Sequence, residues 1–311
     1  MSDPTHRPVR SARAESREVT ALRAIKAQHP ELEDAVDMHL ALLELHRRVQ
    51  PRIPLPWFEL TREKMSRHEA EGRPLVRFEE IPIDLTDLRL LVRQTADVLR
   101  RHGALDDVDY ASVQTIGRDM KLLTVAGEWY RRVADRHAPF DVAQGAPSAS
   151  RGATASAAVG AMSPSGGAGD EGGMLDQVLT LAMRPFLSRC AEVLQRADLS
   201  FWTHGYCALC GGDPDLSVIT PAAERHLICS RCTLRWKFEP LTCPFCLNSD
   251  RSRITSFATP DGQYRVYACD VCHKYLKAYD GRRATRPVMP MVDSVATLPL
   301  DAAAIQRGYS A

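Results

Sequence analysis

Eight of the nine cysteines in this 311-residue chain are grouped in four C-x-x-C pairs. The pairs are Cys207/Cys210, Cys229/Cys232, Cys243/Cys246 and Cys269/Cys272. Two residues between cysteines let one tight turn present both sulfur atoms to a single tetrahedral ion, and a second such turn completes a shell of four thiolates. Free or redox-active thiols are the alternative. Four pairs at repeated spacing favour metal binding instead.

The spacing of the pairs predicts an internal repeat. Eighteen residues separate the first pair from the second and 22 separate the third from the fourth, whereas only 10 lie between the second and third. We therefore expect the first pair to share one ion with the second, and the third with the fourth. A crossed arrangement would require the two units to intertwine. Gly211, Gly212 and Asn248 follow cysteine pairs, where a positive φ would let the chain fold back.

Two metal ions per chain are thus expected, with all eight paired cysteines as ligands. A closed shell of four thiolates suits zinc or a single rubredoxin-like iron, and the residues do not decide between them. Each unit has only about 40 residues, near the size at which a small fold usually needs a metal or disulfides. The metal could therefore be structural or, if it is iron, redox-active.

Other residues whose side chains could bind a metal or react have simpler interpretations. Cys190 lies on an apolar helical stripe and is expected to be a buried structural thiol. His204, His226 and His273 are expected to be solvent-facing or to lie behind the ligands, since four sulfur atoms already complete each shell. Trp236, Tyr275 and Tyr279 are expected to pack the small units. No acid–base pair or nucleophile motif is present, so an enzyme is not the preferred interpretation.

Helical periodicity predicts the architecture that precedes the cysteines. Apolar residues recur three and four apart over 35–49, before the proline-rich run 51–56, and again over 88–99, before Gly103. Asp109 is predicted to cap a third helix that carries Val113, Ile116, Met120, Leu122 and Leu123. From Trp202 onward, short β-like runs at 216–219, 226–228 and 264–267 replace this pattern.

The predicted fold class is α+β, with a mainly α-helical N-terminal domain followed by two rubredoxin-like or zinc-ribbon metal-binding units. The expected segments are a helical domain at 1–140, a flexible Gly/Ala/Ser-rich linker or insertion at 141–173, a connecting helix at 174–200, ribbons at 201–240 and 241–285, and a C-terminal tail at 286–311. The third and fourth helical stripes, at 109–123 and 175–193, complete the helical part, and Pro185 is expected to kink or interrupt the latter helix.

Composition excludes several classes of protein. The formal net charge is +1 and 25% of residues are charged, as in ordinary globular proteins. No apolar run is long enough for a membrane span, and the N-terminus lacks the apolar core of a secretory signal, so we expect a cytoplasmic location without membrane insertion. Residues 200–286 carry 12 Lys/Arg and 8 Asp/Glu. Two tetrathiolate sites with divalent ions would cancel this excess, so nucleic-acid binding by a zinc ribbon is only the alternative hypothesis.

The cysteine region resembles the formate dehydrogenase accessory protein FdhE family. The similar segments are Tyr206–Pro214, Glu224–Trp236, Cys243–Cys246 and Cys269–Lys277. They combine R-x-L-x-C-x-x-C-x-x-x-W with C-x-x-C-x-x-Y-L-K, a pairing that generic zinc ribbons rarely share. The resemblance implies a cytoplasmic maturation factor that binds the catalytic subunit of respiratory formate dehydrogenase. It also implies rubredoxin-like metal sites with iron as a leading candidate.

Overall fold

A computed structural model of the protein describes residues 15–137, 171–284 and 286–311. It confirms the α+β class, with helices before the cysteine region and a sheet within it. The predicted linker at 141–173 lies outside the described residues as far as residue 170. Seven helices precede the paired cysteines in the described part: α1 (Arg17–Gln28), α2 (Glu33–Val49), α3 (Arg62–Ala70), α4 (Leu85–Arg101), α5 (Asp107–Ile116), α6 (Leu122–Ala134) and α7 (Glu171–Leu194).

Two of the predicted apolar stripes become the core of the helical part. The stripe at 35–49 lies in α2, which buries Val36, Leu42 and Val49 completely. The stripe at 88–99 lies in α4, where Asp84 caps the N-terminus by accepting a hydrogen bond from the amide of Asp87. Gly103 follows α4 with a φ of 69°. The left-handed backbone that ends this helix therefore explains the glycine.

The prediction of one helix capped by Asp109 is wrong. Asp106 is the cap, because its side chain accepts from the amide of Asp109, and α5 ends at Ile116. A separate helix, α6, begins at Leu122, and Met120 in the intervening turn is 76% exposed. Because Met120 in this turn is apolar, the helical periodicity of the sequence continued across the break between α5 and α6.

Helix α7 lies at the centre of the helical core. It runs through Pro185 without interruption, so the predicted break is absent. Phe186 and Cys190 are fully buried on its apolar side, as expected for Cys190. Burial raises the pKa of the Cys190 thiol to about 12, which keeps it protonated and unreactive at neutral pH.

Both cysteine units contribute three strands to one sheet of six. The strands are β1 (Pro214–Ile219), β2 (Arg225–Cys229), β3 (Arg235–Phe238), β4 (Ile254–Ala258), β5 (Tyr264–Cys269) and β6 (Tyr275–Asp280). Their order is β3-β2-β1-β6-β5-β4, and all neighbours are antiparallel except β1 and β6. The parallel pairing of Leu216 with Lys277 and of Val218 with Tyr279 joins the two units.

The segment predicted as a C-terminal tail contains two helices, α8 (Pro290–Ala296) and α9 (Leu298–Gln306). Buried polar pairs connect these helices to the sheet. Lys277 donates to Asp301 over 2.7 Å, and Tyr264 donates to Asp293 over 2.7 Å. Asp293 also accepts from Arg286, so its buried charge is paired. The sheet is thus covered by residues that follow it in the chain.

Among the described helices, none is both long enough and apolar enough to cross a bilayer.

Candidate metal centres

The four C-x-x-C pairs form four turns with the same hydrogen bonds. In each turn, the residue after the second cysteine donates its amide to the carbonyl of the first cysteine. The donors are Gly211, Thr233, Leu247 and His273, at 2.8–3.1 Å. The amide of the first cysteine in each turn donates to the carbonyl of the residue two places after the second, at 2.9–3.0 Å. The turns therefore repeat in structure as well as in sequence.

Each turn closes through one residue with a positive φ. These residues are Gly211 at 71°, Thr233 at 62°, Leu247 at 59° and His273 at 56°. The expectation of a positive φ is confirmed for Gly211 but wrong for Asn248, whose neighbour Leu247 adopts it. Gly212 also lacks a positive φ. A glycine is favoured at this position for another reason, since a Cβ there would lie 3.1 Å from Sγ of Cys229.

The eight sulfur atoms form two groups of four, in the uncrossed arrangement. Cys207, Cys210, Cys229 and Cys232 make up the first site, and Cys243, Cys246, Cys269 and Cys272 the second, with all sulfur atoms of a group within 4.8 Å of one another. In the first site Sγ of Cys207 lies 3.4 Å from that of Cys232, and Sγ of Cys210 lies 3.6 Å from that of Cys229. In the second site the closest pairs are 3.6 and 3.7 Å apart.

These distances fit tetrahedral coordination. A metal–sulfur bond of about 2.3 Å places the sulfur atoms of a tetrahedron about 3.8 Å apart. Both groups could therefore hold a metal ion with little movement. The ordinary separation of sulfur atoms in a disulfide is about 2.0 Å, which none of the pairs approaches.

Burial disfavours the thiolate form of several of these cysteines. It raises the pKa of the Cys207 and Cys232 thiols in the first site. Hydrogen bonds from Cys207, Cys229 and Cys232 lower the pKa of Cys210 there. In the second site, burial raises the pKa of Cys272 to about 11. A bound divalent ion is the kind of charge that ionises such thiols together.

The buried Arg231 and the half-buried Arg184 flank the first site. Arg231 lies between the ligand cysteines Cys229 and Cys232, and its guanidinium carbon is 3.5 Å from the centre of the Trp129 ring. Arg184 of α7 donates to the carbonyl of Ser230 over 2.6 Å. A tetrathiolate with a divalent ion has a net charge of about −2, and these two cations beside it offset that charge.

Comparison with known proteins relates this geometry to a family. No protein-family model matches the chain. A protein FdhE homolog of Pasteurella multocida (strain Pm70) is 29% identical over 105 residues, which are 33% of this chain and 34% of that protein. The chain thus matches about a third of the length of this curated relative. The crystal structure of the FdhE protein from Pseudomonas aeruginosa superposes with a TM-score of 0.57, covering 94% of this chain and 91% of that one, at 16% identity.

The chain is thus similar in sequence, over about a third of its length, to an FdhE homolog, and similar in fold to an FdhE protein. The structural similarity, at this level of identity, is a likeness of fold. In this chain, as predicted from sequence, a helical part precedes two four-cysteine units.

The structure also places the other residues considered from sequence. Trp236, Tyr275 and Tyr279 are buried, as expected. His204 and His226 lie outside both sulfur groups: Nε2 of His204 is 2.9 Å from the carbonyl of Glu69, and Nε2 of His226 is 3.6 Å from the carboxylate of Glu224. His273 contributes its backbone to the turn of Cys269 and Cys272, where it adopts the positive φ.

The flanking arginines were not predicted as part of the site. Arg231 could have been suspected from its position between two ligands. Arg184 had no such signal, because it lies on a helix 46 residues before the carbonyl it contacts.

Proposed function

We propose that this protein is an accessory factor for a formate dehydrogenase, which binds the catalytic subunit in the cytoplasm during maturation and catalyses no reaction itself. The observation that carries the proposal is the FdhE fold over 94% of the chain, together with the two four-cysteine groups. The partial sequence match to an FdhE homolog supports it.

The proposal is tested by affinity capture of the full chain from its native host, grown under anaerobic conditions in which a formate dehydrogenase is made. The catalytic subunit should be captured, as identified by mass spectrometry, and formate dehydrogenase activity should fall in cells that lack the protein. Capture without that subunit, combined with unchanged activity in the deletion strain, would overturn the proposal.

We also propose that each four-cysteine group binds one metal ion, iron or zinc. The sulfur spacing and the burial of the thiols support this. Elemental analysis with a visible spectrum, on protein purified without air, should give about two ions per chain. Two irons with ferric-thiolate colour after air oxidation would allow redox function, whereas two zincs would leave the sites structural.

Cys190 provides the matched control for metal binding. It is a buried cysteine outside both groups, so Cys190→Ala should retain both ions. A Cys190→Ala protein that loses one ion, with its fold intact, would contradict the assignment of ligands.

The charge distribution does not favour the nucleic-acid alternative. Arg225, Arg231 and Lys277, which contribute to the basic excess of residues 200–286, are buried. Arg282 and Arg286 are paired with Asp280 and Asp293. Binding of RNA or DNA should therefore be absent even at low salt, where electrostatic contacts are strongest.

A further inference from the structure

The two sites share one backbone geometry but differ in their exposure. All four cysteines of the first site are at most 1% exposed. In the second site, Cys243 and Cys269 are buried, Cys272 is half-buried and Cys246 is exposed. The difference therefore comes from what surrounds each site.

The helical part encloses the first turn of the first site. The amides of Leu75 and Val76 donate to the carbonyls of Ala208 and Leu209, at 2.7 and 3.3 Å. These carbonyls lie between the ligand cysteines. A Cβ at Gly211 would meet Pro74 at 3.0 Å and the backbone of Ala134 at 3.1 Å. The first turn thus contacts the helical part along its whole length.

The second turn of the first site is enclosed as well. Arg184 of α7 donates to Ser230, and the guanidinium of Arg231 stacks on Trp129 of α6. The four ligand cysteines are members of the same apolar core as helices α2, α4, α6 and α7. Solvent reaches this site only if the helical part and the sheet separate.

The second site has protein on one side and solvent on the other. Its fourth turn is held by the C-terminus, where Tyr309 donates to Asp270 over 2.6 Å and the amide of Ser310 donates to the carbonyl of His273 over 2.8 Å. The tips of its two turns face outward. Leu247 is 62% exposed and Val271 is 50% exposed.

A small cavity adjoins the second site. Cys243 and Cys269 line it, together with residues that include Arg225, Tyr267 and Lys274. Packing around the second group of thiolates is therefore incomplete beside Cys243 and Cys269, in addition to the exposure of Cys246.

We propose that the second site is an exchangeable metal site, loaded and emptied through the exposed Cys246 without unfolding, whereas the first site holds its ion as part of the core. Local opening of two exposed turns suffices at the second site. At the first site, release requires loss of the contacts between the helical part and the sheet. The inference depends on metal binding by both groups and not on the role in formate dehydrogenase maturation.

The experiment follows metal release from the full chain loaded with two zinc ions, after addition of excess chelator with a colorimetric zinc indicator. The zinc ion of the second site should be released at least about tenfold faster than that of the first site. Release from the first site requires opening of the core, whereas release from the second does not. Low concentrations of urea should accelerate the slow phase more than the fast one. Release of both ions in a single phase would overturn the inference. The zinc content of the loaded protein before chelator is added, which should be two ions per chain, tests metal binding separately.

Two variants assign the fast and slow phases of zinc release to their sites. Cys246→Ser should abolish the fast phase, and Val271→Ser, a non-ligand change beside the same site, should keep both phases. A fast phase that persists in Cys246→Ser would refute the assignment.

Alkylation of the wild-type protein provides an assignment that needs no variant. After brief exposure of the loaded protein to iodoacetamide, peptide mass spectrometry should find Cys246 and Cys272 modified at least about tenfold faster than the four cysteines of the first site. Equal modification of the two groups, or faster modification of the first, would overturn the proposal.

Discussion

Replacement of Arg231 by methionine separates two roles of this side chain, packing and charge. Arg231 is 5% exposed, and neither of its Nη atoms has a hydrogen-bond partner within the described part of the chain. Its guanidinium instead lies over the rings of Trp129 and Tyr130, at 3.5 and 5.6 Å. Methionine retains a long flexible chain that can fill much of the same space.

The expected cost depends on whether metal is bound. Loss of a desolvated cation–π contact costs up to about 2 kcal/mol. Loss of a cation beside the tetrathiolate should weaken metal binding about 10- to 100-fold, or about 1.4–2.8 kcal/mol. The zinc-loaded protein should therefore lose about 1–5 kcal/mol. With protonated thiols, Arg231 is an unpartnered buried cation, and its removal relieves about 1–3 kcal/mol, which offsets the lost ring contact.

Urea unfolding of the zinc-loaded and zinc-free proteins measures this difference, and chelator competition measures the affinity of the first site in a Cys243→Ser/Cys246→Ser background. Arg131→Met is the matched control, since Arg131 also lies over a ring, that of Phe78, but is exposed. It should change stability by less than about 1 kcal/mol. Equal destabilisation of the loaded and zinc-free forms by Arg231→Met, with unchanged zinc affinity, would refute the electrostatic role. The affinity measurement suffices where the zinc-free chain does not fold.

Three further predictions concern backbone packing, acid stability and the ligands. Gly205→Ala places a Cβ 2.0 Å from the carbonyl oxygen of Pro244, where the two units meet, and should lower stability in urea by about 1–3 kcal/mol. Gly103→Ala, with open space but a φ of 69°, should cost about 1 kcal/mol, so a smaller effect at Gly205 would contradict the close contact. Burial lowers the pKa of His39 to about 4 and that of His46 to about 3. Since these folded-state pKa values lie below the unfolded value of about 6.5, the unfolded chain binds the extra protons and stability should fall as pH drops from about 6.5 towards 4. His46→Leu at constant metal load should flatten that dependence, and an unchanged slope in urea titrations at pH 7 and pH 5 would exclude His46 as a contributor. Cys207→Ser with Cys210→Ser should remove the first ion and disrupt the packing of Trp129 and Trp202, visible in near-ultraviolet circular dichroism, while the second ion can remain bound; loss of both ions would indicate that the second unit depends on the first.

The turns of the metal sites could be predicted from sequence because they are local. Two residues between cysteines determine the turn, and the residue after it must fold back. Sequence suggested Asn248 for one of these positions because asparagine tolerates a positive φ better than leucine does. The structure uses Leu247, since the position in the turn fixes the conformation more strongly than the intrinsic preference of the side chain.

The arrangement of the sheet could not be predicted in the same way. The strands around Leu216, His226 and Tyr264 have local signals, but the parallel pairing of β1 with β6 joins residues about 60 positions apart. The helices α8 and α9 complete the other face of the sheet through buried pairs such as Lys277 with Asp301. Such contacts depend on long-range packing, for which the local pattern carries no signal.

The difference between the two sites also arises from packing beyond the repeated unit. Each unit has the same turns, the same positive φ and the same order of strands, so neither unit alone makes one site more exposed than the other. The helical part encloses the first site, where Arg184 and Arg231 provide positive charge that offsets that of a tetrathiolate. The C-terminal residues hold the second unit from one side and leave Cys246 in solvent. A single repeated motif can thus hold one ion as part of the core and present another to the surroundings, because the elements packed on each copy, rather than the ligands, set the accessibility of the metal.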